Sequence, residues 1–154
     1  MDAESIKLMV KDIFAGEYDK SEWISKYDNG QQVDMIAHLF SYWTSTDENG
    51  RKAIVNALSI YLNSYWIGFQ EISEIIVCHS DKKELDEVVY SKINSGFFCR
   101  DLLNEMKNKS KSNIHWLEMI KEKNISKSFK HDFYVDLDKL YAEVDALISE
   151  LMFK

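Results

Sequence analysis

Four histidines, His38, His79, His115 and His131, are the first places to look for chemistry in this chain, because imidazole is the usual metal ligand and acid–base group near neutral pH. None carries a glutamate or aspartate three residues before it, the spacing that builds di-metal sites inside helical bundles, and no His-Glu-x-x-His occurs. His131-Asp132 is the one suggestive dipeptide. A metal there would also need His79 or His115 and Asp136 or Asp145, residues whose spacings nothing constrains. The simpler reading is a helix start, with Asp132 near the positive end of the macrodipole.

Nucleophiles give no more. There is no Gly-x-Ser-x-Gly and no Walker sequence, and the five glycines never cluster to cradle a phosphate. Cys78 precedes His79, but neighbours on a helix point about 100° apart, so Cys78 and Cys99 are expected to be buried thiols rather than a catalytic group or a disulfide. Asp47-Glu48-Asn49-Gly50 resembles a calcium loop only superficially: its glycine comes too early and the terminal bidentate glutamate is missing. Neither Arg51 nor Arg100 is followed within a few residues by histidine, as helical ribonucleases of the HEPN type require. The expectation is a chain with no catalytic residue, metal or cofactor.

Charged and aromatic surface remains. Net charge is −7, with both ends acidic and residues 101–131 basic. Only two of the 19 basic residues are arginine, the side chain best suited to phosphate and base contacts, which argues against nucleic acid as a direct partner. Near the C-terminus Asp136, Glu143 and Glu150 recur every seven residues, as do Asp138 and Asp145, which reads as two adjacent acidic rows on the back of a helix. A solvated face is the plain meaning of such rows; steering towards a cationic partner is the functional one. Near the N-terminus Tyr18, Trp23 and Tyr27 sit among Glu17, Asp19, Glu22 and Asp28, a candidate set of interface anchors with an acidic rim.

These residues must be carried by helices. The 154 residues contain no proline, so nothing removes a backbone donor or clashes with a preceding turn. The size suits one domain with one core, and the expected fold is a single all-α bundle over 1–154, irregular, of about seven to nine helices. Apolar spacing predicts helices over Ala3–Ala15, Ser21–Asp28, Gln32–Thr44, Arg51–Tyr65, Trp66–Cys78 with a kink near Gly68, a segment from Ser80 to Ile93, Phe98–Lys107, and a short one that Asn113 caps. A final helix over Asp132–Met152 places Phe133, Leu137, Leu140, Val144, Leu147 and Leu151 on one heptad seam. That seam is expected to pack inside the bundle rather than in a homodimer.

Residues 53–70 carry no charge, but Asn56, Ser59, Asn63, Ser64 and Gln70 interrupt them, so a buried bundle helix is expected rather than a membrane span. The acidic start, Met1 to Ser5, leads into no apolar run with a small-residue cleavage site, and the expected location is the cytoplasm.

In size, acidity and lack of catalytic motifs the whole chain resembles the immunity proteins of bacterial toxin–immunity systems. That resemblance implies a non-enzymatic inhibitor that covers the working surface of a basic toxin domain, a nuclease for instance, with acidic residues matching its cationic cleft. The alternatives are a helical adaptor or structural subunit, and a helical hydrolase of unfamiliar type centred on His79 or His131.

Overall fold

A computed structural model describes residues 3–4, 29–64, 70–125 and 136–153. Among them are seven α-helices, one 3-10 turn and no strand, so the fold is all-α. The expected helices over 3–15 and 21–28 lie outside the described residues apart from helical Ala3 and Glu4, as do the expected kink at Gly68 and the segment 126–135. The chain divides into two compact units, Met1–Tyr65 and Trp66–Lys154.

In the first unit α1 (Asn29–Phe40) packs on α2 (Glu48–Ser64). Val33, Ile36, Leu39 and Phe40 meet a core that also holds Ile54, Ala57, Leu58, Tyr61 and Leu62. The apolar spacing anticipates most of this set, but Leu39 takes the buried place expected of Ala37, which is exposed.

Expected to run to Thr44, α1 stops at Phe40, where the chain tightens: the amides of Tyr42 and Trp43 donate to the carbonyls three residues back, each at 3.1 Å. This tightening lays the Trp43 ring parallel to Phe40, at 5.8 Å between centroids. Glu48, Asn49 and Gly50, ahead of the expected start at Arg51, then begin the next helix early. The carboxylate of Asp47 accepts the Gly50 amide at 2.8 Å, an N-cap bond that draws Glu48 to Gly50 into α2.

The second unit contains α3 (Gln70–Cys78), a 3-10 turn (Lys83–Leu85), α4 (Asp86–Lys92), α5 (Gly96–Asn108), α6 (Ile114–Ile125) and α7 (Leu137–Met152). α5 packs against α3 and α7, while α6 packs against α7 and α4. The core takes Ile72, Ile76 and Val77 from α3, Phe98, Cys99, Leu102, Leu103 and Met106 from α5, and Trp116, Leu117 and Ile120 from α6. Trp116 is enclosed, and its indole N–H donates to the Asp86 carboxylate at 2.7 Å, which satisfies the one polar atom of the ring.

Caps fix the ends. Ser95 accepts the Phe98 amide at 3.4 Å to begin α5, two residues earlier than expected, and Asn113 accepts the Trp116 amide at 3.1 Å to begin α6. α5 ends in a Schellman turn: Ser110 N–H donates to Lys107 and Lys111 N–H to Met106, at 3.2 and 3.0 Å. Ser110 stands there at φ 50, in the left-handed region where glycine is the usual residue.

The final helix is shorter than its apolar spacing predicts. Asp136 is extended, at φ −73 and ψ 101, and its carboxylate accepts the Lys139 amide at 3.0 Å. A side chain that takes a backbone amide in this way starts a helix rather than continuing one. The expected start at Asp132 and the seam residue Phe133 lie outside the described residues, and α7 begins at Leu137.

Candidate functional site

The acidic residues singled out in sequence mostly have work inside the fold. On α7, Leu140, Val144 and Leu147 are buried against the rest of the second unit, so the stripe's middle is covered within one chain. Glu143 lies on one flank of that stripe and pairs with Lys107 of α5 at 3.2 Å. Asp145 lies on the other and pairs with Lys121 of α6 at 3.0 Å. Helical geometry requires this separation: two residues apart means about 200° of rotation, so the row of Glu143 and Glu150 and the row of Asp138 and Asp145 straddle the stripe. They do not form the adjacent pair on the back of the helix that the heptad spacing suggested.

The individual residues differ in what they leave available. Asp136 is spent as the cap of α7. Glu143 has 26% of its side chain exposed, and Asp145 has 40%. The hydrogen bond from Lys121 to Asp145, with the carboxylate charge behind it, holds the lysine above its ordinary pKa. Glu150 is exposed and lines a groove of about 260 Å³ together with Met106, Lys107, Ser110, Ser112, Leu147 and Leu151. Asp138 is exposed on the α6 side of α7 and has no ionic partner among the described residues. Tyr18, Glu22, Trp23, Tyr27 and Asp28 lie outside the described residues.

Two further exposed carboxylates, which the sequence pattern does not single out, lie on the neighbouring helix. Glu118 and Glu122 are exposed on α6, four residues apart and on either side of Lys121 in sequence. Lys121 in turn reaches Asp145, and Asp138 lies two turns before Asp145 on the same row, about 10 Å along α7. Exposed carboxylates therefore stand on both α6 and α7, two helices that pack together, rather than on α7 alone. The signal available in sequence was the i,i+4 pair of glutamates, but only the packing of α6 on α7 sets their helix beside the one that carries Asp138.

The groups expected to carry chemistry are scattered. His38 in the first unit meets the Tyr42 hydroxyl at 3.3 Å with the rings edge-on. In the second unit His115 lies 3.8 Å from Asp86, and His79 is half-buried at the end of α3. No histidine lines the groove, no group of three metal-ligating side chains occurs among the described residues, and His131 lies outside them.

Both cysteines are free thiols. Cys99 is buried as expected, and its thiol donates to the Ile93 carbonyl at 3.3 Å. Cys78, expected to be buried too, is exposed, because the inward arc of α3 is taken by Ile72, Ser73, Ile76 and Val77 and the next residue turns out of it. Among the described residues no helix is long and apolar enough to cross a membrane. No protein-family model, curated protein or solved structure matches the chain, and a functional reading rests on its own residues.

Proposed function

We propose that this chain is a non-enzymatic binding protein that neutralises a basic protein partner, in the manner of an immunity protein covering a toxin domain. The observation that supports the reading best is the set of exposed carboxylates on the two packed helices α6 and α7, Glu118, Glu122 and Asp138, in a chain of net charge −7 with few arginines. Exposed carboxylates accelerate encounter with an oppositely charged partner and discourage like-charged ones, although Lys121 and Lys139 stand among these three as counter-charges. The reading needs no cofactor and no nucleic acid, and a cytoplasmic setting goes with it.

The structure decides which variants give a clean test. Reversing Asp136 or Glu143 would remove a helix cap or an internal ion pair, and a loss of binding would then report on folding. Reversing Glu118, Glu122 and Asp138 to lysine leaves the described caps and ion pairs intact. The triple variant should associate with the partner about tenfold or more slowly at low salt, with a shallower salt dependence, while its far-ultraviolet circular dichroism stays that of the parent. Unchanged association kinetics in a folded triple variant would exclude this face.

A further inference from the structure

Four large apolar side chains stay exposed among the described residues: Tyr90, Ile114, Met152 and Phe153. Tyr90 stands apart on α4, and the other three gather at one end of the second unit. The groove brings Ser112, just before α6, beside Glu150 and Leu151 at the end of α7, so the two packed helices run antiparallel. Lys121 and Asp145 tie them together at 3.0 Å. Ile114 lies seven residues before Lys121, and Met152 lies seven after Asp145. Two turns carry each of them about 10 Å along its helix with only about 20° of rotation, so both reach the same end of the same junction.

Phe153 completes the set. Its amide donates to the Ser149 carbonyl at 3.1 Å, which keeps it on the helical course one turn beyond Glu150 at the rim of the groove. At 88% exposed, its ring lies outside the groove of its own chain. The patch therefore holds a projecting ring next to a hollow whose apolar lining is Met106, Leu147 and Leu151. The hollow measures about 260 Å³. An apolar cavity of about 150 Å³ already takes up benzene, so a phenyl ring fits.

The charges beside the hollow suit a second copy of the same surface. Lys107, paired with Glu143 yet 40% exposed, lies on the α5 side, and Glu150 lies on the α7 side. Across a two-fold axis the Lys107 of each copy faces the Glu150 of the other, whereas a rim of one sign would repel its own image.

We propose that this end of the second unit is a self-association surface, on which two copies of the chain pair about a two-fold axis with Phe153 of each in the groove of the other. The pairing is independent of the basic partner and uses none of Glu118, Glu122 and Asp138. A single small patch makes a weak dimer, because stable interfaces bury more than about 1,000 Å². Two copies of net charge −7 repel at long range, so added salt strengthens the dimer, the opposite of its effect on binding to a basic protein.

The test is sedimentation velocity on the full chain from about 5 µM to about 500 µM, where monomer should convert to dimer, more completely at higher salt. Phe153→Asp and Met152→Asp should each weaken the dimer about tenfold or more, while Tyr90→Asp leaves it unchanged. In a mixture of isotope-labelled and unlabelled wild type, filtered nuclear Overhauser contacts should join the Phe153 ring of one copy to the Leu147 and Leu151 methyls of the other. These wild-type contacts decide even where a variant fails to fold. A chain that stays monomeric throughout, a dimer that survives Phe153→Asp, or a dimer without those contacts would overturn the proposal. So would a monomer whose Phe153→Asp variant loses a captured basic partner, since the patch would then belong to that partner.

Discussion

Single residues show how much of this molecule is fixed by local backbone chemistry. Ser110 closes a Schellman turn in the left-handed region, where a Cβ is unfavourable, so Ser110→Gly should stabilise the protein by about 0.5–1 kcal/mol in urea denaturation. Gly50 predicts the opposite sign. A Cβ there would run into the hydroxyl of buried Thr46, with its Cβ and Cγ2 close behind. Overpacking costs about 1–3 kcal/mol, more than the ~1 kcal/mol that alanine gains over glycine in a helix, so Gly50→Ala should lower stability despite its better propensity. Caps were legible to different degrees. Asn113 is recognisable from sequence as an N-cap, since it follows a Lys/Ser-rich loop and precedes an apolar run. Ser110 is not, because serine carries no signature of the left-handed conformation, and Asp136 was hidden inside a heptad pattern that continued through it.

Among the elements, α7 separates what holds a helix in place from what decorates it. Its stripe of Leu140, Val144 and Leu147 is buried, whereas the ion pairs of Glu143 and Asp145 lie at the exposed margins. Leu140→Ala should therefore cost about 2–5 kcal/mol. Asp145→Ala should cost less than about 1 kcal/mol, because exposed pairs gain little over solvent. Denaturant midpoints of the two variants check this, and near-equal losses would mean that the flanking charges matter more than the stripe. The stripe was legible because burial imposes a period that any sequence must show. The acidic rows were misplaced because the heptad spacing defines each row without saying where α5 and α6 lie around the helix.

At the scale of the whole molecule, the all-α class followed from the absence of proline and the continuous apolar spacing, and the structure bears it out. The candidate surface was only half legible. Net acidity is a property of composition, but that the helix of Glu118 and Glu122 lies beside the helix of Asp138 is a long-range contact that composition does not encode. Acidity also makes the central claim testable before the partner is identified, because electrostatically steered association weakens as salt screens it. The most direct measurement is quantitative capture of whatever binds the intact protein in its native cells, with stoichiometry and salt dependence determined on the recovered complex. A stoichiometric basic protein whose activity is suppressed on binding, and whose association slows as salt rises, is the predicted result. A folded bait that recovers only acidic or neutral proteins, or none, would contradict the account.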